Sequence, residues 1–284
     1  MTARENALRW LEQDTEESFK NGIQALLDGP EKELEDAFYR DLEFGTGGMR
    51  GVMGVGSNRV NKYTFGMATQ GLANYLKQSF PSEQIRIAIA YDCRNNSQTF
   101  ARMVAEIFSA NGIEAYLFSE LRPTPQLSFA VRELNCHSGI VITASHNPPE
   151  YNGYKVYWND GAQIVAPQDK GIIEEVRKIE QLSQINFTAN SSLIHELGKE
   201  MDDAFVKASL AQRRQTNVNK NLKIVLTSLH GTSITLLPRL LQEAGYENLL
   251  IVEEQAVPDG NFPTVKSPNP EEREALNMAL ELAE

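Results

Sequence analysis

The sequence is poor in the features that mark secreted, membrane-spanning or nucleic-acid-binding chains. Only two cysteines, Cys93 and Cys136, occur in 284 residues, and neither lies in a CxxC pair. That excludes a disulfide framework and fits a reducing cytosol. Basic residues are in deficit, 27 against 38 acidic, for a formal net charge of −11. An acidic chain does not suit general binding to nucleic acid or anionic membrane. No apolar run reaches the roughly 18 residues of a membrane span. The first twenty residues lack the apolar core of a signal peptide, so a cytoplasmic protein is expected. There is no G-K-[ST] of a Walker loop and no G-x-S-x-G nucleophile elbow.

The composition that is present, 41% hydrophobic and 23% charged, is that of a globular chain, with length for one large domain or two ordinary ones. Residues 1–43 hold 12 acidic and 5 basic residues and read mostly as helix, with apolar periodicity through Leu8, Leu11, Ile23, Leu26 and Leu27. Then the charge reverses. Residues 44–63, FGTGGMRGVMGVGSNRVNKY, contain six glycines, three basic residues and no acid. Glycines let backbone N–H groups approach a ligand, and arginine binds phosphate in a bidentate way. A surface loop is the plainer alternative.

From residue 64 onward helices and strands alternate, which predicts α/β architecture. Helices are expected over 64–80, 98–110, 126–134, 167–181, 199–215 and 233–244, with Gly112 closing the second. Strands are expected over 85–90, 115–118, 138–143, 153–158, 162–165, 223–226 and 249–252. A last helix is expected to start at Asn269-Pro270, an N-cap and N1 pair. The polar stretch near 184–198 reads as a linker between a first domain, 1–190, and a second, 199–284.

Ligands of open α/β sheets bind beyond the carboxyl ends of strands. Three polar clusters fall there: Asp92 with Arg94, Thr143 through Pro149, and His230-Gly231-Thr232. The second places Ser145 in a short turn beside His146 and Asn147, followed by two prolines. A hydrogen-bonded turn with no chemistry has the same composition. Adjacent side chains in extended backbone point apart, so His146 is expected to be a poor base for Ser145. A serine without a neighbouring base can instead carry a phosphoryl group, its charge offset by cations such as Arg50 and Lys155. Asp92 and Arg94 read as a structural ion pair supporting that loop, and His230 as a domain-interface or strand-capping residue.

TASHNPPEYNGYKVYWNDGAQI at 143–164 resembles the active-serine signature of the α-D-phosphohexomutases, the phosphoglucomutase/phosphomannomutase superfamily. FGTGGMRG at 44–51 resembles that family's N-terminal loop, with Gly47 where serine is usual. YDCRNNS at 91–97, LHGT at 229–232, PDGNFP at 258–263 and SPNPE at 267–271 resemble further landmarks, all in order. The subgroup is most similar to the long bacterial phosphoglucomutases, which also resemble phosphopentomutases.

The resemblance implies a mixed-sheet first domain followed by a similar α/β second domain. It implies a phosphoserine at Ser145 that passes its phosphoryl group to a hexose monophosphate and recovers the other from a 1,6-bisphosphate intermediate. In that scheme Lys155 is the acid/base, Arg50 stabilises the moving phosphoryl group, and His146 and Asn147 shape the serine loop. Thr46, Gly47, Arg50, Asn147 and Lys155 would bind the sugar phosphate. Mg²⁺ would sit on the Ser145 phosphate and on three aspartates of a DxDxDR loop, and no such loop occurs in the sequence. Two strands after residue 222 also leave the second domain short of partners. The expectation is therefore a fragment that lacks the metal, sugar and phosphate loops and is inactive alone. Phosphomannomutase, phosphopentomutase and a non-catalytic phosphate-binding or regulatory module remain as alternatives.

Overall fold

A computed structural model describes residues 1–214 and 218–284. Three helices, α1 (Ala3–Leu11), α2 (Glu17–Asp28) and α3 (Glu31–Phe38), form the acidic N-terminal layer. They bury Ala7, Trp10, Ile23, Leu27, Leu34 and Phe38 against the body of the chain. The body is a six-stranded mixed sheet of β1 (Gly48–Val52), β2 (Arg86–Tyr91), β3 (Glu114–Phe118), β4 (Ser138–Ile142), β5 (Tyr151–Trp158) and β6 (Ile194–Leu197). Their order is β1-β5-β4-β2-β3-β6. β4, β2, β3 and β6 run parallel, whereas β5 and β1 are antiparallel to their neighbours.

The period of two in IRIAIAY divides the core into two layers. Ile87, Ile89 and Tyr91 face the layer of α4 (Lys62–Ser79) and α5 (Ser97–Ala110). Ala88 and Ala90 face α6 (Thr124–Glu133). Small residues on that side let the helix close on the sheet: a Cβ on Gly139 would stand 2.5 Å from Val131. The helix α7 (Gln168–Arg177) packs on α4.

The second unit begins with α8 (Lys199–Ala211). Its Asp202 accepts from Arg122 Nε at 2.9 Å and Nη2 at 2.8 Å and from Gln126 at 2.6 Å, a buried bidentate pair that fastens α8 to α6. Then follow β7 (Ile224–Leu226), α9 (Leu237–Glu243), β8 (Leu249–Ile251) and α10 (Asn277–Ala283), with β7 and β8 paired in parallel. Among the described residues no helix is long and apolar enough to cross a membrane.

Four expectations need correction. The supposed linker and the boundary at residue 190 give way to structure: β6 extends the first sheet, and Leu182 and Ile185 lie in its core. Polar composition concealed it because a short edge strand keeps one side in water. The glycine-rich stretch is a loop only in part, since β1 lies inside it. Asn269 does not start the last helix; its side chain accepts from Glu271 N in a local turn, and α10 begins eight residues later, at Asn277. The expected segment 162–165 contributes a single bridge between Tyr157 and Gln163. The expected end of α8 at residue 215 lies outside the described residues.

Gly48 has φ +134°, and a Cβ there would stand 1.9 Å from Tyr154 O. Gly112 also has positive φ, +77°, but open space around it. Gly48→Ala is expected to cost about 3 kcal/mol or more, and Gly112→Ala about 1 kcal/mol, in urea unfolding. Equal losses would refute steric exclusion at Gly48.

Candidate active site

Ser145 stands just beyond the carboxyl end of β4, exposed, with φ +60°. Its N–H donates to Thr143 Oγ1 at 3.0 Å and Asn147 N–H donates to Ala144 O at 3.2 Å, so the residues turn back on themselves. The extended backbone assumed above does not occur. In the left-handed conformation Ser145 Oγ and His146 Nδ1 come within 3.4 Å, a long contact that leaves His146 beside the hydroxyl.

The turn is clasped from below by Arg94, whose side chain is fully buried. Its Nη1 donates to Pro148 O at 2.8 Å and Tyr151 O at 3.1 Å, and its Nη2 to Ser145 O at 2.9 Å and Asn147 O at 2.5 Å. Asp92 lies 3.4 Å from Arg94 Nε and accepts from Arg94 N and Ser97 Oγ. Burial pushes the Asp92 carboxyl up, and donors from Thr143, Arg94 and Ser97 oppose that. Buried Asn152 donates to Asn95 O and Ser97 Oγ, tying the start of β5 to the same loop. The pair read from sequence as structural is thus the anchor of the serine turn.

Strand register brings the cations. β1 pairs with β5 so that Arg50 opposes Gly153 and Gly48 opposes Lys155. Arg50 Nη1 donates to Asn147 Oδ1 at 2.9 Å. Lys155 is half-buried on the strand next to β4, and burial lowers its pKa from the ordinary 10.5. The Arg50 charge lowers it further, and Asp92 opposes. Gly153 admits this packing, since a Cβ would meet Thr143 O at 2.6 Å and Met49 O at 2.9 Å.

Ser145, His146, Asn147 and Arg50 therefore form one group, with Lys155 on the adjoining strand. Thr46 and Gly47 engage elsewhere. Thr46 Oγ1 donates to Asp169 at 3.1 Å, and Gly47 O accepts from Val156 N and Gln163 Nε2. Sequence reasoning missed Asp169 and Gln163 because both lie more than 110 residues from the loop they hold. His230 belongs within the second unit: Nδ1 donates to Val257 O and Nε2 accepts from Thr264 Oγ1, each at 2.9 Å. A cavity of about 930 Å³ lies between Trp10, Phe44, Met49 and Arg177, away from Ser145.

The surroundings of Ser145 do not by themselves fit a divalent cation, which requires several oxygen ligands. Its near neighbours carry positive charge, Asn147 Oδ1 already accepts from Arg50, and among the described residues no three His, Cys, Asp or Glu gather in one place.

Comparison with known proteins gives consistent matches. Residues 41–183 match the model for phosphoglucomutase/phosphomannomutase alpha/beta/alpha domain I, and residues 203–284 match that for domain II. A phosphoglucomutase of Staphylococcus haemolyticus is 39% identical over 254 residues, covering 88% of this chain and 46% of the relative. One of Staphylococcus aureus is 39% identical over 278 residues, covering 96% and 49%. This chain spans about half the length of the curated relatives it matches. The crystal structure of a putative phosphomannomutase from Thermus thermophilus superposes with TM-score 0.70 at 24% identity, over 86% of this chain and 52% of that one, and shows the shared fold.

Two measurements check this geometry. Arg94→Lys keeps the charge but cannot reach four carbonyls, and is expected to lower unfolding stability by about 2–4 kcal/mol; a loss under about 0.5 kcal/mol would contradict the clasp. Because the folded pKa of Lys155 lies below 10.5, its neutral amine appears at lower pH than that of an exposed lysine. The sign for stability follows: charging Lys155 opposes folding below its folded pKa, and the penalty fades as pH rises toward 10.5. Trace acetylation across pH 7–10 should therefore show the Lys155 amine becoming reactive at lower pH in the folded chain than in the urea-unfolded chain, after correction for access.

Proposed function

This chain belongs to the phosphoglucomutase/phosphomannomutase family, and from that premise we propose that it carries the phosphoserine site of a phosphoglucomutase-type intramolecular phosphotransferase. The carrying observation is Ser145 itself: an exposed hydroxyl at φ +60° on a turn immobilised by Arg94, with Arg50 and Lys155 brought alongside by strand pairing. An exposed nucleophile on an immobile turn suits in-line phosphoryl transfer, where positioning and charge neutralisation supply most of the rate.

In the proposed cycle, phospho-Ser145 meets the free hydroxyl of a hexose monophosphate. The bond between phosphorus and Ser145 Oγ breaks as a bond to the sugar oxygen forms. The proton of the sugar hydroxyl passes to the neutral amine of Lys155, whose depressed pKa raises the fraction able to accept it. The 1,6-bisphosphate then reorients and returns its other phosphoryl group to Ser145, with Lys155 giving the proton back. The net change is interconversion of hexose 1-phosphate and 6-phosphate. Arg50 offsets the charge of the moving group and keeps Asn147 oriented. The magnesium associated with such enzymes is not held by the described residues alone, and no step is drawn through it. The sugar phosphate is the partner this site suits, and two free thiols accord with work in a reducing cytosol.

The test is chemical. Exposure to glucose 1,6-bisphosphate should place one phosphoryl group on the chain, mapped to Ser145 by peptide mass spectrometry and abolished in Ser145→Ala. Lys155→Met and Arg50→Ala should each slow phosphorylation by about 10²-fold or more without unfolding the chain. Phosphorylation that persists in Ser145→Ala would reject the assignment.

A further inference from the structure

Among the described residues, the second unit meets the loop that clasps the serine turn. Its loop 258–262 lies on the loop that carries Arg94. The Phe262 ring, 4% exposed, stands over the Arg94 guanidinium, with 5.2 Å from Cζ to the ring centroid. Asn95 Nδ2 donates to Asn261 Oδ1 at 3.0 Å, and the Cys93 thiol donates to Asp259 O at 3.9 Å. Gly260 presses so close that a Cβ would stand 2.5 Å from Asn95 N. The loop is itself fixed by His230, whose carbonyl accepts from Asp259 N and whose ring bonds Val257 O and Thr264.

The geometry points to Phe262 as a positioning residue for Ser145, acting through Arg94. A guanidinium whose two terminal nitrogens are taken up by four carbonyls has its two faces left for other contacts. An aromatic face is attracted to a cation while offering no acceptor that could draw a donor away from a carbonyl. The ring therefore keeps water from the cation and leaves its N–H groups to the serine turn. A phenylalanine at φ +50° is a strained choice for a loop, and the contact with Arg94 gives the strain a purpose. The second unit thereby sets the order of a nucleophile that belongs to the first. This inference rests on the reading of Ser145 as phosphoryl carrier only for its consequence in catalysis.

Hydrogen exchange of the 284-residue chain separates the two. The amides of Asn147 and Tyr151, which bond Ala144 O and Pro148 O, report order in the serine turn. Phe262→Ala should raise their exchange about tenfold while amides of β2 and β4 keep their rates. Phe262→Tyr, which retains the aromatic face, should restore the original rates. Should Phe262→Ala loosen the whole chain, Phe262→Leu decides, because it keeps apolar bulk without the ring quadrupole; a rise confined to 144–151 is expected. Unchanged turn amides in Phe262→Leu, or no rescue by Phe262→Tyr, would overturn the proposal. Where Ser145 of the unaltered chain accepts a phosphoryl group, Phe262→Leu should slow that transfer several-fold and leave the bisphosphate concentration for half-maximal rate in place. Failure of the unaltered chain to be phosphorylated would count against the functional reading, and the exchange result would stand.

Discussion

Four backbone carbonyls of the serine turn converge on one buried cation, Arg94. A turn that exposes its tip to water has few apolar contacts to hold it, so its order must come from polar bonds. Bonds to a charged donor are worth about 1.5–3 kcal/mol each, roughly twice the neutral kind. The planar guanidinium also fixes the relative orientation of the carbonyls, which an ammonium would not. Burying such a cation is costly unless it is satisfied. The surrounding structure meets most of that need: four carbonyls accept from Nη1 and Nη2, the Asp92 carboxylate stands 3.4 Å from Nε as an ion-pair partner although Nε makes no hydrogen bond, and an aromatic ring covers one face.

Much of the first unit can be read as the means of bringing these groups to one edge. β2 ends in Tyr91 and delivers Asp92 and Arg94; β4 lies beside it in parallel and delivers Thr143 and Ser145 to the same end. β5 runs the opposite way and β1, antiparallel to β5, runs with β4 again, so Lys155 and Arg50 approach from within strands rather than from loops. The antiparallel pairings explain how two cations distant in sequence come onto strands beside the serine turn. They also require glycine at Gly48 and Gly153, where backbones come closer than a side chain would allow.

The alternation of IRIAIA, the run SGIVIT and the amphipathic helices between them were legible because local pattern and tertiary role agree. So were the serine turn, its arginine and the resemblance they carry. β6 was not legible, since four residues of mixed polarity on an edge lack a distinguishing period. Nor was the fate of Thr46, because its partner Asp169 lies 123 residues away and no local rule links them. The orientation of His146 failed for a different reason. The rule that neighbours point apart is a rule for extended chain, and one residue at positive φ cancels it.

That residue has a counterpart. After β7 the sequence Thr227-Ser228-Leu229-His230 follows the plan of Thr143-Ala144-Ser145-His146. In each, the third residue donates its N–H to the threonine hydroxyl, at 3.1 Å for Leu229 and 3.0 Å for Ser145. In each it takes a left-handed backbone, φ +47° and +60°, and the fifth residue donates to the carbonyl of the second. A non-glycine residue in this conformation costs about 1 kcal/mol, so its appearance at both strand ends implies that the turn itself is useful. What differs is what the turn presents. Leu229 and His230 are buried and hold the loop that carries Phe262, whereas Ser145 and His146 face solvent. One backbone device therefore serves two ends: in the second unit it anchors a loop, and in the first it displays a hydroxyl. The two turns are also held differently: Arg94 clasps the first, whereas Gln255, Val257 and Thr264 bond the second.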